Sequence, residues 1–454
     1  MGHVPAPLDS AISVCPTRDD PTLAAGSEVL GGPLGRRAAP GGGWWTPLRV
    51  LLALTIVCLA LGVVERDPCR NHAWSRADGQ QYVHACYSDI PHLYRERGFV
   101  NDEVPYFDSG DHQPLEYPVL TGAVMWVAAE IVKPLAGSGV DARAVRFYDV
   151  NAVLLGLAAL VAVAATMLLA GPRPWDAALV AASPVLLLDA TINWDLVAVA
   201  LTALSLLAWA RRRPGWAGLL LGLAISAKFY PVVLLVPFGA LCLRARRLSE
   251  FGRLLGGGLV AWLVVNAPVA IGATDGWREF YTFSAHRGAD FGSLWYVLAQ
   301  AGHPVAHLNT ITAALTIAGL AGVAALAAFA PAPPRLAQLC FLAVAVFVMA
   351  NKVWSPQYAL WLLPLAALAR PRWRDLLIWQ AGETIYFVGV WLYLLGGYDR
   401  GLSQNGYGAL VVLRFASLLY LVVLVVRDAM EPRHDPVRAH GWTDPAGGVL
   451  EPAR

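Results

Sequence analysis

The sequence predicts an all-helical, polytopic membrane protein with about twelve membrane helices and one large loop near its start. Three observations carry this. Of 454 residues, 57% are hydrophobic and only 15% charged, and the mean hydropathy is +0.51. Apolar segments recur from about residue 46 to 426, many near the length of about 20 residues that a bilayer core takes per helix. Backbone at that depth must satisfy its own hydrogen bonds, which makes helix the default. The 17 Trp and 15 Tyr suit belts at the membrane interface. A net charge of +2 is too small to argue for nucleic acid or for a soluble acidic partner.

Residues 1–43 are rich in Pro, Gly and Ala and end in three glycines before Trp44 and Trp45, which reads as an unstructured tail meeting an interfacial anchor. The multi-pass domain then runs over 44–426. Its first apolar segment, about 47 to 64, follows Arg36 and Arg37 and lacks a small-residue cleavage site, so it reads as a retained membrane helix with a cytoplasmic N-terminus. The polar tail 427–454 again reads as unstructured and cytoplasmic.

Arginine placement sets the orientation, because Lys and Arg accumulate in short cytoplasmic loops. The marks are Arg211, Arg212 and Arg213, then Arg244, Arg246 and Arg247, then Arg370, Arg372 and Arg374. The turns between them then face outward: 65–117, Lys228 to Pro231, 272–308, 351–358 and 398–407. Between the first of these loops and Arg211 lie four apolar stretches, about 118–136, 148–170, 177–190 and 195–210. An odd number of crossings is required there, so one stretch does not span.

The loop 65–117 holds ten acids against five arginines, and charge runs of this kind ordinarily stay solvated. Asp89 stands apart. It lies in Tyr87-Ser88-Asp89-Ile90-Pro91-His92-Leu93-Tyr94, whose spacing suggests a short amphipathic helix along the membrane surface. A carboxylate beside apolar side chains is partly desolvated and suits a general base. Cys69 and Cys86 share this loop, where an oxidising exterior permits a disulfide between them.

Further clusters sit in the other outward turns. Lys228, in Ser226-Ala227-Lys228-Phe229-Tyr230-Pro231, is one of three lysines in the chain. An uncompensated charge there costs about 2.5–3.5 kcal/mol. Lys352, in Asn351-Lys352-Val353-Trp354-Ser355-Pro356-Gln357-Tyr358, repeats the arrangement. Two of three lysines in outward turns run against the positive-inside tendency and favour an anionic ligand. In the loop 272–308, Arg287 can fork onto phosphate oxygens and His286 can exchange a proton. No Gly-rich dinucleotide or phosphate loop appears, and His72, His84, His92 and His112 lack zinc-type spacing, so no cofactor and no metal is expected.

An outer-loop acid, then Glu116-Tyr117-Pro118, then Lys228-Phe229-Tyr230-Pro231, then Ser355-Pro356-Gln357-Tyr358 with Trp361 and Pro364, resembles the GT87 family of bacterial integral-membrane glycosyltransferases with the GT-C fold. The resemblance runs over most of 46–426. It implies polyprenyl-phosphate-mannose-dependent mannosyl transfer to an envelope glycolipid or glycan at the outer face of the plasma membrane; one base without a covalent intermediate predicts inversion at the anomeric carbon. It implies Asp89 as the base. Lys228, Arg287, Lys352 and His286 would hold phosphate, and Glu116, Tyr117, Tyr230, Gln357 and Tyr358 would bind sugar or shape its loop. The alternative from a different class is a transporter or flippase of a lipid-linked glycan, since broken helices and buried charges also mark solute pathways.

Overall fold

In the computed structural model, apolar helices alternate between two ends of one bundle, one end carrying the loop 65–117 and the other the arginine runs. The structure describes residues 15, 19–35, 43–75, 79–108, 110, 112–135, 137, 139–398, 400–441 and 443–451. The protein is all-helical and multi-pass. Five helices are long and apolar enough to cross a membrane: α2 (Pro47–Glu65), α5 (Val140–Leu169), α10 (Leu248–Gly272), α13 (Leu308–Phe329) and α17 (Gln404–Met430). Ahead of them in the chain lies α1 (Pro21–Gly35), and the outer loop contributes α3 (Asp89–Glu96).

The other traverses are shorter or broken. The chain passes through Ala178–Ala181 and α6 (Pro184–Asp189), then α7 (Asp195–Ala210), α8 (Pro214–Ala227), and a 3-10 turn Tyr230–Leu234 running into α9 (Leu235–Arg244). After α10 come two helices at the loop end, α11 (Thr274–His286) and α12 (Leu294–Gln300). Beyond α13 lie α14 (Leu336–Ala350), the turn Pro356–Tyr358 with α15 (Ala359–Ala369), and α16 (Trp373–Leu394). Every residue of α15 is buried. Short helices survive here because neighbouring helices and a cavity, rather than lipid, surround their breaks. Glycines let α8 and α10 touch backbone to backbone: a Cβ at Gly218 would lie 2.0 Å from the Leu254 carbonyl oxygen.

The unpaired crossing is α4 (Val119–Val132). It starts where the Tyr106 hydroxyl donates to the carbonyls of Tyr117 (2.9 Å) and Pro118 (3.0 Å). It ends where Lys133 pairs with Asp102 of the same loop at 3.6 Å. Both of its ends therefore sit at the loop end, and the stretch 118–136 is the one that does not span. Among the described residues this leaves twelve traverses, as the hydropathy pattern predicts.

The two tails depart from expectation where they are described. α1 is helical, with a kink at Gly32, and Asp20 beside it accepts from the Trp373 backbone N–H at 3.0 Å. Arg36, Arg37 and the glycines at 41 and 42 lie outside the described residues. The C-terminal segment folds back on the arginine end instead of trailing free. Arg335 pairs with the fully buried Asp435 at 2.7 Å, Asp444 accepts from the Leu336 N–H, and the Trp209 indole donates to the Gly447 carbonyl at 3.0 Å. Composition hid this because the docking rests on a few paired charges and caps, not on an apolar run.

Candidate active site

A cavity of about 630 Å³ opens at the loop end, walled by the outer loop, the residues just before α7, the break after α8, α11 with its following loop, the turn before α15, and the last turns of α16. Segments more than 250 residues apart in sequence meet there.

Asp89 is the first residue of α3, whose start is capped by the Ser88 hydroxyl accepting from the Ile90 N–H at 3.3 Å. The helix forms as expected, but it does not lie on lipid: Ile90 to Tyr94 are all buried, and the Tyr94 ring packs on Phe147 of α5 at 4.8 Å. The Asp89 N–H donates to the Ile192 carbonyl at 2.8 Å, which ties the helix start to the chain between α6 and α7. Its carboxylate is half-buried on the cavity wall, accepting from the Tyr87 hydroxyl at 2.7 Å and the Asn193 amide at 3.5 Å. Burial pushes the carboxyl above the usual carboxylate range, against the pull of the Tyr87 hydrogen bond and the Lys228 charge. The Cys69–Cys86 disulfide, with Cα atoms 5.8 Å apart, fixes the chain just ahead of Tyr87. The Trp74 indole donates to the Cys86 carbonyl at 3.0 Å.

Lys228 ends α8 in an extended conformation and sits in the same cavity. Its ammonium is 3.4 Å from Asp195 and 4.8 Å from the centre of the Tyr117 ring. Asp195 opens α7, is fully buried, and accepts from the Trp361 indole at 2.6 Å. Tyr230 and Tyr358 both stack on Trp361, at 4.4 and 3.8 Å.

Lys352 reaches this cavity too, so the two lysines emerge on one side of the bundle. Its ammonium donates to the Ala285 carbonyl at 3.3 Å and to the Asn309 side chain. Burial and the neighbouring Arg287 charge push its pKa down. Arg287 faces the cavity and donates from Nε to Asp290 at 2.7 Å. Gln357 also lines the wall, with its carbonyl oxygen buried and without a hydrogen-bond partner among the described residues.

Two expectations shift. His286 is exposed and outside the cavity lining: it is the last residue of α11, and its Nδ1 lies 2.8 Å from the Thr282 carbonyl one turn earlier. Arg287, also exposed, lines the cavity from the point where the helix ends and its backbone becomes extended. Glu116 and Tyr117 reach the wall, but Glu116 is held in a two-pronged pair with Arg97 at 2.7 and 2.9 Å, a structural tie. Sequence reasoning passed over Tyr87 and Asn193 as partners of Asp89 and over Asp195 as the partner of Lys228. The run Asn193-Trp194-Asp195 between apolar stretches was the available signal. His92 lies 2.9 Å from Gln81, and His112 pairs with Glu103.

The family model described as Glycosyltransferase family 87 matches residues 118–351. Among curated proteins, the catalytic subunit of GPI alpha-1,4-mannosyltransferase I from Danio rerio is 29% identical over 243 residues, or 49% of this chain. The chain spans 59% of that relative's length. Among solved structures, ArnT from Cupriavidus metallidurans, determined bound to undecaprenyl phosphate, superposes with a TM-score of 0.44 at 17% identity. The superposition covers 85% of this chain and 78% of that one.

Proposed function

Because the chain belongs to glycosyltransferase family 87, we propose that it moves mannose from a polyprenyl-phosphate donor to an envelope glycolipid or glycan at the outer face of a bacterial plasma membrane. The observation that carries this reading is the placement of Asp89 on one wall of a cavity shared with Lys228, Arg287 and Lys352. The choice of mannose leans on the likeness to a mannosyltransferase subunit.

A sugar on a polyprenyl phosphate already has a good leaving group. The protein must therefore orient the acceptor hydroxyl, take its proton as attack proceeds, and stabilise the departing phosphate. Asp89 removes the proton from the acceptor O–H while that oxygen bonds to the anomeric carbon. The bond from the anomeric carbon to the phosphate oxygen breaks, and polyprenyl phosphate leaves with one more negative charge than the phosphodiester carried. Lys228, Arg287 and Lys352 meet that charge. Tyr117, Tyr230, Gln357 and Tyr358 offer hydroxyls, an amide and ring faces to the sugar. A single displacement with one base inverts the anomeric carbon.

Purified protein in nanodiscs, given polyprenyl-phosphate-mannose and extracted envelope lipids, tests this. Labelled mannose should appear in the lipid acceptor with stoichiometric free polyprenyl phosphate, and Asp89→Asn should cut the rate of both by about 10²–10⁴. Translocation of the intact donor across vesicles without cleavage would overturn the reading in favour of a flippase.

A further inference from the structure

Deep in the bundle, facing one another from α16 and α17, are two charged residues that the transfer chemistry does not use. Arg414 is 0% exposed and Glu383 3%, and Nε of the arginine donates to Glu383 at 2.7 Å. An ion pair in an apolar helix bundle is costly and does not by itself stabilise the fold. The rest of the guanidinium shows what the arginine does. One terminal nitrogen donates to the Trp354 carbonyl at 2.6 Å, and the other to the carbonyls of Ser355 at 3.1 Å and Pro356 at 3.4 Å. The Trp354 and Tyr386 rings lie 4.4 and 4.1 Å from the guanidinium carbon. The Ser355 and Pro356 carbonyls also accept from the Tyr358 and Ala359 N–H groups of the 3-10 turn, whereas no backbone N–H among the described residues meets the Trp354 carbonyl, and buried non-helical backbone needs donors from elsewhere.

The same point anchors a second loop. The Gly292 N–H donates to the Tyr407 hydroxyl at 2.8 Å, and Tyr407 meets the Tyr386 hydroxyl at 3.1 Å. Gly292 has φ +80°, and a Cβ there would lie 2.0 Å from the Trp354 carbonyl oxygen and 2.8 Å from an Arg414 nitrogen. The two loops also pair directly, Asp290 N–H to the Lys352 carbonyl at 2.9 Å and Trp354 N–H to the Phe291 carbonyl at 3.3 Å. Between them they carry Arg287, Lys352, Gln357 and Tyr358.

We infer that Arg414, oriented by Glu383, is a positioning residue that clamps the loops 287–293 and 351–358 into one unit and so presets the cationic half of the cavity for a phosphate group. The inference rests on the glycosyltransferase reading for its ligand but not for its geometry. It predicts that disturbing the clamp loosens both loops together and leaves the Asp89 helix alone.

The experiment measures backbone hydrogen exchange in the full-length protein and in Arg414→Lys, Gly292→Ala and the double variant Arg414→Met/Glu383→Met. The double variant removes both charges and so leaves no lone buried ion if the single change fails to fold. Expected is faster exchange in 287–293 and 351–358 together, with 89–96 unchanged, and a loss of affinity for decaprenyl phosphate in detergent of about tenfold or more. Unchanged protection, or loosening of one loop without the other, overturns the clamp. Equal affinity for decaprenyl phosphate in folded variants and wild type overturns its role in phosphate binding. If the wild-type protein itself fails to bind decaprenyl phosphate, the glycosyltransferase reading falls, and the exchange data judge the clamp separately.

Discussion

The two ends of the bundle treat buried charge differently. At the arginine end, Arg335 meets Asp435 through two nitrogens at 2.7 and 2.9 Å and also donates to the Leu368 and Ala369 carbonyls at 2.8 and 2.7 Å. Arg370 binds Asp375 at 2.8 Å and also Asp428. At the cavity, Lys228 stands 3.4 Å from Asp195, and Asp89 is held by a hydroxyl and a distant amide. Short forked pairs lock helix ends together, whereas loose pairs leave each charge free to respond to a newcomer. The contrast is between charges locked into the fold, among which the forked Arg97–Glu116 pair at the loop end also belongs, and the loosely held Lys228 and Asp89, which the proposed transfer would use.

Substitutions at the two ends should therefore fail in different assays. The largest effect is expected from Asp89→Asn, which should cost about 10²–10⁴ in turnover while the thermal melt in detergent stays cooperative. Full turnover in that variant would remove Asp89 from its role and erase the contrast. Next comes Arg335→Ala, which strands the buried Asp435 and should destabilise the protein by about 3–5 kcal/mol while turnover per folded molecule holds. Loss of turnover in the folded fraction would show that the arginine end is not merely structural.

A smaller loss, about 3 kcal/mol, is expected for Cys69→Ser, since the disulfide closes a separation of 17 residues. Unfolding with and without reductant measures it, and the serine variant should be insensitive to reductant. The smallest effect concerns pH. The Asp89 carboxyl is raised by burial, so kcat/KM should climb with pH through an inflection above the ordinary carboxylate range, as the base becomes ionised. Tyr87→Phe removes a bond that favours the charged form and should move the inflection further up. The stability contribution has the opposite slope: a raised folded pKa means stability that is full below the unfolded pKa and is lost as pH rises through the folded one. Asp89→Asn should thus melt no lower than wild type at neutral pH.

Much of the site was legible because its chemistry sits in short polar interruptions of apolar sequence. Asp89 in a helix start, Lys228 at a break before Pro231, and Lys352 beside Pro356 each announce themselves locally, and all three reach one cavity. His286 and Arg287 could not be told apart that way. They are adjacent and both exposed, and only the point where α11 stops puts Arg287 on the cavity wall and leaves His286 off it. Nor could Asp195 be named as the partner of Lys228, or Arg414 as the support of the turn at Trp354, since those contacts span 33 and 60 positions.

The sequence by itself determined the alternation of apolar segments, the end at which arginines gather, and the turns that interrupt helices, because hydropathy and backbone preference act within a few residues. Which stretch fails to cross, where the tails dock, and which carboxylate faces which cation were decided by tertiary structure. A buried charge or an unpaired carbonyl accepts any suitable partner, and only the packing of distant helices brings one within reach.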